Sequence, residues 1–197
     1  LIGLVGSEMC IRDRLDGILT MPLVLPPTVA GFILLLLFSL RRPFGAFLLD
    51  NFDIKIVQTW KGCVIAASVI AFPLMYRNAR AAFEQVDVNL IAAGKTLGMS
   101  DRRIFWTVVM PTVGPGIASG TVLAFARAIG EYGATSMLAG NILGKTRTVS
   151  VAIASETAAG NYGMAGFWVV VILIISFVIV AAINIVSGKG MKMGRWM

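Results

Sequence analysis

A chain of 197 residues that is 57% hydrophobic and 14% charged is too apolar for an ordinary water-soluble domain. Histidine is absent and cysteine occurs twice, at Cys10 and Cys63, which removes histidine acid–base chemistry, Ser-His triads, most zinc sites and any disulfide framework. A net charge of +7 would suggest nucleic acid in a soluble chain, but here it fits cytoplasmic loops and anionic lipid headgroups.

The first fourteen residues, LIGLVGSEMCIRDR, fit neither a signal peptide nor a spanning helix. The string SEMCIRDR resembles translated sequencing-adapter read-through, so residues 1–14 are expected to be non-native and are set aside. A first spanning helix is expected over about 18–40, where Ile18–Leu40 carries no charge. Pro22, Pro26 and Pro27 should bend it, because proline frees a backbone carbonyl. Such a break survives in a bilayer only where protein or a cavity covers it. The proline half should therefore face other helices, and Phe32–Phe38 lipid.

Residues 41–56 read as a loop with an interfacial piece. The second helix is expected over about 57–79, bent near Pro73. Its uncharged run Gly62–Tyr76 is short for a crossing, but Trp60 and Lys61 at one end and Arg77 at the other suit a membrane interface.

The next stretch, EQVDVNLIAAGKTLGMSDRRIFWTVVMP over 84–111, is more than a connector. Asp87 can cap a helix starting at Val88, and Gly98 can end it. Leu90, Ala93 and Leu97 then share one face. Ser100 can cap the following helix, with Asp101 in its first turn. A small amphipathic helix at a tight turn between spans suits docking of a soluble partner.

A third spanning helix is expected from about Ser100 to Gly130, containing the uncharged run Ile104–Ala126 with Pro111, Gly114, Pro115 and Gly116 inside it. Its small residues permit close helix approach. Of the helices it is the best placed to line a translocation pathway, with Pro111 as a candidate; tight packing alone would also use such residues. Arg127 and Glu131 lie four apart at its end and can pair. The functional reading places this pair at the mouth of a pathway, and the plain reading is a local ion pair.

Residues 131–160 are Gly-rich with short apolar runs, expected at the opposite surface as loop and short helix. The fourth spanning helix, about 163–187, is Val-, Ile- and Phe-rich and should face lipid. Lys and Arg number eight on the side of 77–103 and the basic tail and seven on the other, so the positive-inside rule does not set the orientation.

The 84–111 stretch resembles the loop by which ABC-importer permeases engage their cytoplasmic ATPase. In that family pattern, Ala92, Ala93 and Gly94 fall on Glu-Ala-Ala, Gly98 on the glycine, and Val108, Met110 and Pro111 on the closing Ile, Leu and Pro. Ala92 departs from the usual glutamate and Gly94 from the second alanine. TMPLVLPPTVAGF at 20–32, FARAIGEYGAT at 125–135 and AGNILGKTRT at 139–148 extend the resemblance to roughly 15–187. Together they resemble the molybdate permease subunits of binding-protein-dependent importers, with sulfate permeases as close relatives.

The resemblance implies an all-α polytopic membrane helix bundle, with about four spanning helices of a six-helix importer permease fold. It implies a transmembrane permease domain over 15–197 with the ATPase-coupling loop at about 84–103, and an N-terminally truncated fragment. The implied ATPase-coupling residues are Leu90, Ala92, Ala93, Gly94, Leu97 and Gly98. Candidate translocation residues are Pro26, Pro27, Pro111, Arg127 and Glu131. The implied partners are a cytoplasmic ABC ATPase, an extracytoplasmic oxyanion-binding protein, the bilayer and a second copy of the chain, with no cofactor and no nucleic acid. The chain would be a transport subunit in the plasma membrane, not an enzyme. Its substrate would be molybdate or tungstate, with sulfate or thiosulfate as the alternative.

Readings from other classes fare worse. Gly140–Thr146 misses the GxxxxGK[ST] phosphate loop by one residue and follows no expected strand. An intramembrane hydrolase lacks histidine and a GxSxG string. A secondary transporter would explain the broken helices but not a docking helix.

Overall fold

A computed structural model describes the backbone of residues 2–193 and the side chains of residues 13–182. The expectation for residues 1–14 and the side chains of the basic tail thus fall largely outside the described residues. Among the described residues there is no strand. Three helices are long and apolar enough to cross a bilayer, Trp60–Glu84, Asp101–Ile129 and Tyr162–Ala182, and a bent pair supplies a fourth crossing if counted as one. The all-α polytopic class expected from the sequence is what the chain adopts.

The bent pair corrects the single helix expected over 18–40. Helix α1 (Ile2–Val24) stops, and α2 (Pro27–Phe38) leaves at 112° to its Asp13–Val24 part. The cause is the tandem proline. Each proline drives the residue before it out of the α region, so Leu25 and Pro26 are both disfavoured there. Pro26 takes φ −54° and ψ 136°, and Pro27 begins α2 at the position where a missing N–H costs nothing.

The chain forms two compact units, Leu1–Pro73 with Arg127–Leu173, and Leu74–Ala126 with Ile174–Met197. In the first unit, Ala30 and Leu34 on α2 pack with Ile56, with Ala66 and Ile70 on α4 (Trp60–Glu84), and with Ala134 and Leu138 on α8 (Gly133–Leu138). Gly31 makes the α2–α8 approach possible: a Cβ there would lie 2.6 Å from Ala134 Cα and 2.9 Å from its carbonyl oxygen. The opposite face of α2, with Phe32, Ile33, Leu36 and Leu37, is exposed as lipid contact requires. Leu34, by contrast, is buried, so Phe32–Phe38 is not uniformly lipid-facing.

Residues 43–52 form a helix, α3 (Pro43–Phe52), where a loop with an interfacial piece was expected. Residues 131–160 form loops and short helices, α8 among them, and within them Ala134, Thr135, Leu138 and Ala139 are buried, which the sequence did not announce. Helix α9 (Val149–Ala158) follows, capped by the Thr148 hydroxyl, which accepts from the Val151 N–H. Helix α10 (Tyr162–Met193) has the exposed apolar surface of a lipid-facing helix, with Phe177 and Leu173 largely exposed.

In the second unit, α5 (Val88–Thr96) precedes a continuous rod made of α6 (Asp101–Ile104), a π-helical segment (Phe105–Val109) and α7 (Met110–Ile129). The π turn has a local cause. Pro111 has no N–H, and its ring crowds the carbonyl four residues back. The helix widens just before it, and the Met110 N–H donates to the Phe105 carbonyl five residues earlier. The Thr107 and Thr112 hydroxyls donate to the carbonyls of Arg103 and Val108, respectively. Ile104, Val109 and Val113 form the core of this unit, with Ala82, Val86, Ile91 and Met99 packed against it.

Candidate functional site

Two sets of sequence-predicted residues were expected to carry function, and each lies within one unit or is divided between the two. The coupling set is built on α5. Asp87 caps it, its Oδ1 accepting from the Asn89 N–H at 2.8 Å. At the other end Gly98 takes φ +73°. Its N–H donates to the Lys95 carbonyl at 3.0 Å, and the Met99 N–H to the Gly94 carbonyl at 3.1 Å. That pair of bonds is the Schellman stop, which favours glycine at this place. Ser100 occupies the expected N-cap position of α6, but its side chain makes no capping hydrogen bond. Asp101 instead pairs with Lys95 at 3.1 Å, tying the two short helices together across the turn.

The face of α5 is as the periodicity indicated. Leu90, Ala93 and Leu97 are exposed, Leu97 to 80%, and Ala92 is exposed beside them. Gly94, one turn after Leu90 and at the edge of that face, is buried: a Cβ there would lie 3.0 Å from Ile104 Cγ1. Glycine at this position makes room for Ile104. The sequence reading missed the anchors Ile91, Met99 and Ile104, and it missed exposed Val88. Ile91 and Gly94, three apart, share the seated side of α5, and that spacing was the available signal.

The second set divides. Pro26, Pro27, Arg127 and Glu131 lie in the first unit and Pro111 in the second. Pro27 meets the start of α8: a Cβ on Gly133 would lie 3.0 Å from Pro27 Cβ. Glu131 lies just before the same helix start. Its side chain is 1% exposed, its Oε1 accepts from the Ala134 N–H at 2.7 Å, and its Oε2 lies 2.8 Å from Arg127 Nη1. Oε2 has the ion-pair contact but no hydrogen bond. Glu131 therefore does local structural work as a cap of α8, while Arg127, 31% exposed, keeps guanidinium surface free.

This geometry makes a prediction. Arg127→Gln removes the charge facing a buried carboxylate and should cost about 1–3 kcal/mol, less than a fully buried pair because the Arg127 side chain is 31% exposed. Adding Glu131→Gln, whose amide oxygen can still accept from Ala134, should restore part of that. Thermal unfolding in detergent reads both, and an equal loss in the single and double variants would refute the pairing account.

A third polar group went unread in the sequence. Arg147 donates to Asn141 Oδ1 at 2.8 Å, Glu156 Oε1 at 3.1 Å and Ser155 Oγ at 3.3 Å, and Asn161 Nδ2 donates to Glu156 Oε2 at 3.1 Å. The near-match to a phosphate loop at 140–146 is a turn braced by this cluster. Its Thr146 hydroxyl is buried and accepts from the Ile142 N–H at 3.1 Å.

Comparison with known proteins adds to this geometry. The molybdenum transport system permease protein ModB of Escherichia coli (strain K12) is 46% identical over 156 residues, covering 78% of this chain and 68% of that protein. ModB of Haemophilus influenzae is 40% identical over 144 residues, 73% of this chain and 63% of that protein. The sulfate transport system permease protein CysT of Escherichia coli (strain K12) is 33% identical over 178 residues, 90% of this chain and 64% of that protein. Residues 5–186 match the binding-protein-dependent transport system inner membrane component family, spanning α1 to α10, the α5 turn included. The chain belongs to that family, as a multi-pass inner-membrane transport subunit.

Proposed function

We infer that this chain is the permease subunit of an ATP-driven importer that moves molybdate or tungstate across the plasma membrane. The observation that carries the substrate class is the identity gap: 46% and 40% to molybdenum permeases against 33% to a sulfate permease. A dianion cannot enter hydrocarbon without a large desolvation cost, so the protein must offer dipoles or hydroxyls along a pathway. ATP hydrolysis belongs to a separate cytoplasmic ATPase, and substrate selection to an extracytoplasmic oxyanion-binding protein. The working assembly holds two copies of this permease.

The ATPase docks on the loop at 84–103. Leu90, Ala93 and Leu97 form an exposed apolar face of the kind that lies in a partner groove, and Ala92 leaves that contact without the usual acid. Gly94 seats the helix on Ile104, and Gly98 turns the chain back toward the membrane. Pro26, Pro27 and Pro111 mark the helix breaks of the translocation route, and Arg127 offers its remaining donors to the anion.

Uptake of radiolabelled molybdate by the full-length permease, expressed with its ATPase and binding protein, tests this. Molybdate should accumulate in an ATP-dependent way, excess tungstate should compete, and excess sulfate should compete poorly. Equal competition by sulfate would move the assignment to a sulfate or thiosulfate permease. Uptake without ATP would move it to secondary transport.

A further inference from the structure

The second unit contains a cavity of about 320 Å³ that none of the residues above explains. One wall is Asn78, Ala81 and Ala82 on α4 with Gln85 in the turn just after it, and the other is Thr112, Pro115, Gly116 and Ser119 on α7. Both walls repeat the same three-four-seven spacing, so each is one helix face. The helices touch where a Cβ on Gly116 would lie 2.5 Å from Ala82 Cβ, and the small residues around that contact leave the space open. Its volume is at the lower end of the about 300–1,000 Å³ typical of small-ligand sites.

The lining is half polar and half apolar and, among the described residues, carries no charge. Thr112 spends its hydroxyl proton on the Val108 carbonyl, and Asn78 Nδ2 spends one hydrogen on the Leu74 carbonyl at 2.7 Å. The second Asn78 hydrogen, the Gln85 amide and the Ser119 hydroxyl remain as donors, with no protein partner for Gln85 or Ser119 among the described residues. Among the described residues no carboxylate lines the space, so a divalent cation would find no hard anionic ligand. Several neutral donors around one space suit an oxyanion. The absence of an uncompensated positive charge suits one that must leave again, because a free guanidinium would hold a dianion much more tightly; Arg127 on the proposed route is offset by Glu131. Gln85 stands two residues before Asp87, the cap of α5, so this space lies at the membrane end of the proposed coupling loop.

We propose that the Asn78–Gln85–Thr112–Ser119 cavity is a low-affinity station for a tetrahedral oxyanion on its way through the membrane, next to the helix that meets the ATPase. This rests on the importer function inferred above and assigns it a place in the chain.

The test uses the complete transporter in membrane vesicles, with radiolabelled molybdate as the probe. Gln85→Glu keeps the side chain's size and puts a negative charge in the cavity, and Gln85 is exposed, so folding should survive. Ser119→Val removes a donor and fills space. Each should lower molybdate uptake at least about tenfold at equal permease abundance, since a charge-assisted hydrogen bond is lost or replaced by repulsion. With Ser119→Val, which lies outside the 84–103 loop, the ATPase should co-purify at wild-type yield. If the wild type takes up molybdate and both variants do so within about twofold, roughly the scale of an exposed polar change, the station is refuted and the importer reading stands. If the wild type fails to take up molybdate while the binding protein and ATPase are present, the importer reading itself fails. If Ser119→Val loses the ATPase, or if either variant displaces a co-purifying phospholipid without affecting uptake, the cavity serves coupling or a lipid headgroup and the proposal is overturned.

Discussion

Gly31→Val should leave almost no permease in the membrane. A Cβ at position 31 would sit 2.6 Å from Ala134 Cα, which is backbone and cannot rotate aside. Valine would push α2 off α8, and with it Ala30 and Leu34 off the contact with Ala134 and Leu138. Overpacking a tight site costs about 1–3 kcal/mol when side chains can yield. Here the obstacle is main chain, so the upper end or more is expected. Helix association in a bilayer depends on such close approach, since lipid tails supply no hydrophobic drive between helices. Gly163→Val is the control, because nothing lies within 4 Å of a Cβ there. Membrane-fraction abundance and the unfolding midpoint in detergent should fall for position 31 and stay near wild type for position 163. Equal abundance of both would refute the packing account.

Gly98→Val should act in the opposite way, leaving the permease in place and silencing it. Nothing lies within 4 Å of a Cβ at position 98, so there is no collision to resolve. The cost is in the backbone, where φ +73° charges a β-branched residue about 1–2 kcal/mol or more. The Schellman stop should loosen and the exposed face of Leu90, Ala93 and Leu97 should lose its fixed direction. Membrane abundance should hold, while ATPase co-purification and uptake are lost. Gly98→Asn separates conformation from bulk, because asparagine tolerates this region and should keep most of the function. Co-purification at wild-type yield with Gly98→Val, together with normal uptake, would sink the coupling role.

These two glycines also mark what could be read from the sequence. Gly98 was legible because a helix cap is local: Asp87, the Leu90–Ala93–Leu97 face and the glycine stop lie within a dozen residues. Gly31 was not, because its partner Ala134 is distant in sequence and no period announces it. Helix α8 fell to the same limit. Six residues give too short a run for periodicity, and the burial of Ala134 and Leu138 is set by α2 and α4. The tandem proline announced a bend, but local chemistry alone does not give its 112° angle. Spacing offered Arg127 and Glu131 as a pair, and the structure adds the Ala134 amide that makes Glu131 a cap. The Arg147 cluster escaped because its members are polar residues of ordinary loop composition, joined only by the fold.

The widened turn at Phe105–Val109 has a consequence for the whole rod after it. A straight α-helix starting from buried Ile104 would carry its inner stripe through Val108, Thr112, Pro115 and Ser119. The observed stripe steps five residues to Val109 and then four to Val113. One supernumerary residue has turned the remaining helix by about 100° about its own axis. Valine has gone inward, and the hydroxyl-bearing side that would have been core faces an open space instead. The turn before Pro111 thus acts as a phase shifter, deciding which side of the rod is dry and which is wet.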